Sequence, residues 1–153
     1  MKVLVTGGSG FIGSHVVDKL AAAGLTPRIY DVIPSPWHDA GTVDTYLGDL
    51  EDVEALADAM RGCDAVLHLA AVADVNQVNL DPVFAEKVNA RGTLNVLEAA
   101  RRTEVARVVY ASTIWVYNGC AEDHVDEDVQ LGLPNHLYTA SKIAGEIAAP
   151  RQL

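Results

Sequence analysis

The chain has 153 residues, half of them hydrophobic and 21% charged, with a net charge of −10. That length and balance suit one ordered globular domain able to bury a sizeable core. The acidic surplus argues against nucleic acid or an anionic membrane surface as partner, and no apolar run approaches the roughly 18 residues of a membrane-spanning helix.

The first element is a short apolar run, Val3-Leu4-Val5, whose β-branched bias reads as a buried strand. A glycine-rich turn follows, with Gly7, Gly10 and Gly13 spaced three apart. Phe11, Ile12, Val16, Leu20 and Ala23 then fall at helical spacing. A dinucleotide loop needs such glycines for a tight turn, for close approach of backbone to pyrophosphate and for close packing of helix on strand. The N-terminus of the new helix, with its free N–H groups and dipole, would carry the phosphates. Asp31 stands eighteen residues past Gly13, where a carboxylate can take ribose hydroxyls. The alternative is a merely structural turn.

The first helix is expected over 10–23, stopped by Gly24 and Pro27. A second strand is expected over 28–31. Pro34 and Pro36 mark a loop through Ala40, and a third strand runs over 42–47. The next helix starts around Gly48-Asp49-Leu50, with Glu51 and Asp52 in its first turn, and stops at Gly62. A fourth strand with its exit loop covers 65–71. One long helix covers 82–102, a fifth strand 105–111, and a last helix runs from about Leu137 to Pro150. The segment 122–128 holds five carboxylates and reads as a solvated loop or, with no recognisable metal-ligand spacing, a cation site; no metal is expected. Cys63 and Cys120 form no CxxC pair and read as reduced packing residues. No secretory signal is visible, so a cytoplasmic location is the default expectation. Strict alternation of strand and helix gives a doubly wound parallel sheet of order 3-2-1-4-5, in a single domain over residues 1–153.

Tyr138 and Lys142 are one helical turn apart and share a face. An ammonium beside a phenol favours the phenolate and would make a usable acid/base. An exposed aromatic beside a solvated lysine is the other reading of that pair.

Six segments in order resemble the extended short-chain dehydrogenase/reductase family, which contains NAD-dependent nucleotide-sugar epimerases and dehydratases. They are Thr6-Gly-Gly-Ser-Gly-Phe-Ile-Gly13, Gly48-Asp49-Leu50, His68-Leu-Ala-Ala71, Val88-Asn-Ala-Arg-Gly-Thr93, Thr113-Ile-Trp-Val-Tyr-Asn-Gly119 with one inserted Asn, and Tyr138-Thr-Ala-Ser-Lys142. The resemblance implies that the loop Gly7, Gly10, Phe11, Ile12 and Gly13 holds pyrophosphate and that Asp31 binds the adenosine ribose. With no Arg or Lys close behind Asp31, NAD is favoured over NADP. It implies that Asp49 and Leu50 contact adenine, that Ala70, Ala71 and Ala73 line the phosphate and ribose path, and that Asn89 supports the nicotinamide side unless it is simply a buried helix polar residue. Thr113, or less well placed Ser112, would bond the substrate oxygen, Tyr138 would move the proton, and Lys142 would bind nicotinamide ribose. His68 reads as a packed strand-end residue.

The family's 4,6-dehydratases resemble Thr-Asp-Glu where this chain has Thr113-Ile114-Trp115, which argues against that elimination. The family also continues into a C-terminal substrate half beyond the length seen here. The resemblance therefore implies the N-terminal part of a UDP-glucose 4-epimerase-like enzyme acting on a nucleotide sugar, with homodimerisation through the Asn89 and Tyr138 helices. A reductase or dehydrogenase of the same family and an inactive NAD-holding module are the alternatives. A fragment, a natural short form paired through its sheet edge, and a chain whose own tail covers that edge are all compatible.

Overall fold

The computed structural model describes residues 1–39, 41–120 and 124–149. Five parallel strands form one sheet: β1 (Lys2–Thr6), β2 (Thr26–Asp31), β3 (Asp44–Leu47), β4 (Ala65–His68) and β5 (Arg107–Tyr110). Their order is 3-2-1-4-5, as expected. The strand order reverses between β1 and β4, which opens a crevice at the carboxyl ends of the strands, where open α/β sheets bind ligands.

Successive side chains of β1 point to opposite faces, and each face has its own core. On one side Val5 and Ile29 pack under Val17 of α1 (Phe11–Ala22). On the other, Leu4 and Val66 lie under Leu56 and Met60 of α2 (Val53–Met60) and under Val96, Ala99 and Ala100 of α5 (Gly92–Arg102). A third cluster joins Val78 of α3 (Val75–Leu80), Ala85 of α4 (Pro82–Glu86) and Tyr138 of α6 (Leu137–Ala148). Arg28, only 7% exposed, ties the sheet to α2. Its guanidinium donates to Asp44 Oδ2 at 2.7 Å and to the carbonyls of Ala59 (2.6 Å) and Arg61 (3.2 Å), at the negative end of that helix.

Several expectations need correction. β2 begins at Thr26 and includes Pro27; β3 pairs only from Arg28 onward, so the missing N–H of Pro27 interrupts no ladder bond. Thr42 is not in a strand, because its N–H and hydroxyl both turn back to the Asp39 carbonyl. Among the described residues no helix joins β2 to β3, so alternation fails there. Helix α2 starts at Val53, because Asp49 Oδ1 takes the Glu51 N–H in a turn and Asp52 caps Ala55 N. The expected helix over 82–102 is interrupted by a π-helical turn at Lys87–Arg91, and α3 precedes it unannounced. β5 is shorter than expected, and a 3₁₀ turn covers Ile114–Tyr117. Ala40, Glu122, Asp123 and Pro150, on which expectations for the loop, the acidic segment and the last helix end fall, lie outside the described residues.

Candidate active site

A cleft of about 580 Å³ lies across the carboxyl ends of the strands, within the ordinary size range for a small-molecule site. Gly7, Gly10, Phe11, Ile12, Gly13, Asp31, Asp49, Leu50, Ala70 and Ala71 all line it, which brings ten of the expected cofactor residues together. The glycine turn forms its base. Gly7 has φ +72°, and a Cβ there would lie 2.8 Å from the Ala70 backbone. A Cβ on Gly13 would run into the Gly7 carbonyl oxygen. The cradle is therefore backbone against backbone, with no room for a side chain. Gly10 is the N-cap of α1 and supplies no side-chain cap. The first intrahelical bond is from Ser14 N to Gly10 O, so the N–H groups of Phe11, Ile12 and Gly13 have no partner within the helix. That open, positively polarised end fits a pyrophosphate.

At the end of β2, Asp31 is held as an acceptor. Ser9 N donates to its Oδ2 at 3.0 Å and Val32 N to its Oδ1 at 2.8 Å. Trp37 Nε1 reaches back to the Ser9 carbonyl at 3.1 Å, and His38 bridges Ser35 and Asp18, so the irregular β2–β3 loop is pinned onto the glycine turn and α1. Just past β3, the Asp49 carbonyl accepts from the Tyr30 hydroxyl at 2.8 Å. Burial, with Asp52 and Asp49 nearby, pushes the Tyr30 phenol up to about 12, so it stays a donor. Gly48 leaves room for that hydroxyl. Tyr30, Val32, Ile33, Val72, Phe84, Val88 and Ala111 also line the cleft and were missed from sequence. Their signal was positional: most follow the carboxyl ends of strands or face them.

Ala73 and Asn89 are not among the lining residues. Ala73 is exposed beyond the wall. Asn89, 1% exposed in the π-helical turn, clamps the wall from behind: its Oδ1 accepts from Val72 N at 2.8 Å and its Nδ2 donates to Val72 O at 3.0 Å and Ser141 Oγ at 3.2 Å.

Tyr138 and Lys142 share a face of α6, and neither they nor Thr113 are among the residues lining the cleft. Lys142, 3% exposed, donates from Nζ to Ala111 O at 3.0 Å, and Ala111 is a cleft residue. The same nitrogen is 6.0 Å from the centre of the Tyr138 ring and 5.0 Å from that of Tyr110. Burial lowers the Lys142 ammonium to about 8. Thr113 Oγ1 accepts from Trp115 N at 3.3 Å, starting the 3₁₀ turn. Trp115 packs edge-on against His136, which stacks on Tyr138. Ser112 Oγ is buried without a hydrogen-bond partner among the described residues.

The sheet, the glycine cradle and the carboxylate at the end of β2 define a dinucleotide-binding α/β protein. The chain belongs to the NAD dependent epimerase/dehydratase family, whose model matches residues 3–151; NAD is the cofactor of that family. It is 34% identical over 152 residues to the 3-beta-hydroxysteroid dehydrogenase of Mycolicibacterium neoaurum, covering 95% of this chain and 41% of that protein. To the dTDP-glucose 4,6-dehydratase of Streptomyces niveus it is 33% identical over 168 residues, covering 97% and 48%. The crystal structure of the Thermus thermophilus UDP-glucose 4-epimerase in complex with NAD superposes with a TM-score of 0.86 at 38% identity, covering 96% of this chain and 49% of that one. The chain thus spans a little under half the length of these relatives, corresponding to their N-terminal part.

Proposed function

We propose that this chain is the cofactor-holding part of an NAD-dependent nucleotide-sugar epimerase, similar to the UDP-glucose 4-epimerases. The cleft carries the reading: a helix N-terminus at one end, a backbone-anchored carboxylate at the other, and a tyrosine–lysine pair beside it. Bound NAD would supply the hydride acceptor and donor. Gly7, Gly10 and Gly13 would admit the pyrophosphate, and Asp31 would accept from the ribose hydroxyls and repel a 2′-phosphate. Tyr138 would take the proton from a sugar hydroxyl and return it after the sugar has turned over. Lys142 would favour the phenolate and reach the nicotinamide ribose, and Thr113 would orient the sugar oxygen. Ile114 and Trp115 in place of a carboxylate pair favour this chemistry over elimination of water.

A dehydrogenase that releases its ketone is the second reading, and the similarity to a steroid dehydrogenase supports it. Net NADH production separates the two, since an epimerase returns its hydride. The test is an assay for UDP-sugar epimerisation with added NAD, run beside a form extended by a substrate half of the kind its relatives have. Positioning contributes roughly 7–11 kcal/mol to such reactions, so residues 1–153 alone should turn over far more slowly than the extended form. In the extended form, Tyr138→Phe should lower the rate at least about 10²-fold while leaving NAD binding nearly intact. A Tyr138→Phe rate near wild type would remove Tyr138 from the chemistry.

The proposed assembly is a homodimer through α5 and α6, in a cytoplasmic setting. No helix among the described residues is long and apolar enough to cross a membrane. The small residues Gly92, Ala99 and Ala100 do not support the dimer: the two alanines lie in the core under the sheet, and a Cβ on Gly92 would meet Leu50. Exposed Leu94 on α5 and Ile147 on α6 support it instead.

A further inference from the structure

Behind the cleft runs a buried chain of side-chain hydrogen bonds whose direction is fixed. Thr93 Oγ1 donates to the Asn89 carbonyl at 2.6 Å, since a carbonyl can only accept. Its contact with His68 Nε2 at 3.0 Å must then be a bond it accepts, which places a proton on Nε2. In the neutral ring Nδ1 is left as an acceptor, facing Thr6 Oγ1 at 2.7 Å. Thr6 Oγ1 gives its proton to that nitrogen and accepts from Ala70 N at 3.3 Å. Thr6, His68, Thr93 and Asn89 are all 1% exposed or less, so no water can replace a lost partner cheaply. The chain does not stop at Asn89, whose amide holds both polar groups of the Val72 backbone and donates to Ser141 Oγ. Ser141 in turn donates to the Tyr138 carbonyl at 2.7 Å.

We propose that His68 is a positioning residue of the cleft: donating from Nε2 to Thr93 and accepting at Nδ1 from Thr6, it fixes the wall at residues 70–72 and, through Asn89 and Ser141, the helix that carries Tyr138 and Lys142. Its consequence for cofactor affinity rests on the NAD reading above. The wall is tied at both ends to one network, at Ala70 through Thr6 and at Val72 through Asn89. The imidazole is the member that joins the end of β1 to the π-helical turn. An apolar residue at 68 would fill the space but break the chain in the middle.

Two measurements test this. Nitrogen-edited NMR of the wild-type protein at pH 7, with the His68 signals assigned by their loss in His68→Gln, should find a neutral ring protonated on Nε2. A proton on Nδ1, or an imidazolium, would overturn the proposal. Amide hydrogen exchange then compares Thr93→Val, which keeps the shape but loses both bonds, with Thr93→Ser, which keeps the hydroxyl. Exchange at Val72 should quicken about tenfold or more in Thr93→Val relative to Val5 in the central strand. Thr93→Ser should restore it. Equal protection of Val72 in a folded Thr93→Val protein would overturn the proposal, and the wild-type NMR result decides it should that variant not fold. Where wild type binds NAD, Thr93→Val should bind it about tenfold more weakly and Thr93→Ser like wild type. Failure of wild type to bind NAD would instead sink the cofactor reading, since the exchange measurement needs no cofactor.

Discussion

His68 and Lys142 are buried basic groups whose ionisation the fold opposes, and both make stability rise with pH, in different windows. Burial, reinforced by the Lys142 charge, lowers His68 to about 3 from an ordinary value of 6.5. The unfolded chain therefore binds a proton that the folded one refuses between those values, so stability rises with pH across that window. The contribution is complete above pH 6.5 and is lost progressively as pH falls toward 3. Urea unfolding at pH 7 and pH 4 should show wild type losing a few kcal/mol more than His68→Gln, on the order set by the shift. Lys142 is lowered to about 8 from 10.5 by burial. Here too the unfolded state holds the extra proton, so this group's contribution to stability rises between pH 8 and 10.5. Below pH 8 the buried ammonium is a cost. Lys142→Met should accordingly stabilise the fold at pH 7, by on the order of 1 kcal/mol after the lost bond to Ala111 is counted, while weakening NAD binding. A destabilised Lys142→Met protein with unchanged NAD affinity would contradict both halves of that expectation.

At the scale of elements, what sequence pattern reveals depends on whether local chemistry alone sets the structure. The glycine turn was legible because its spacing answers a local steric demand. Gly13→Ala should cost more than about 2 kcal/mol and abolish NAD binding, since the atoms of Gly7 and Gly8 that its Cβ would meet are all backbone and none can rotate away; urea unfolding and calorimetric titration would check each. The helix expected over 82–102 kept its apolar period, yet the chain inserts a π-helical turn at Lys87–Arg91. Asn89 in that turn reaches Val72, seventeen residues away, and no local pattern announces a bond of that span. The role of Arg28 was invisible for the same reason. It sits between Pro27 and Ile29 in β2, and two of its partners are the carbonyls of Ala59 and Arg61, a group that every residue has. Arg28→Ala should destabilise the protein by about 2–3 kcal/mol, because charge-assisted bonds are lost from a buried position; an unfolding midpoint equal to wild type would contradict this.

For the molecule as a whole, the strand order and most of the cleft lining were readable in advance, and the surroundings of Thr113, Tyr138 and Lys142 were less so. The strands follow from apolar runs cut by glycine, and parallel crossovers leave few ways to order them. The lining residues from Gly7 to Ala71 come from the carboxyl ends of strands, the turns that follow them and the start of α1. Tyr138 and Lys142 share a helix face that their spacing announces, whereas Thr113 is linked to them by tertiary packing through Trp115 and His136. That link could be inferred from family resemblance and not from spacing. Assembly belongs to this scale as well. Sedimentation equilibrium should show a dimer that Leu94→Lys on α5 weakens, and a monomer at all accessible concentrations would contradict the proposed pairing. The central claim, that the cleft is an NAD site with Asp31 as its discriminating group, is tested most directly by calorimetric titration of residues 1–153 with NAD and with NADP. The account predicts that NAD binds, weakly, and that NADP binds at least about tenfold more weakly, a difference that Asp31→Ala narrows. NADP binding as tight as NAD binding, or no binding of either, would contradict it.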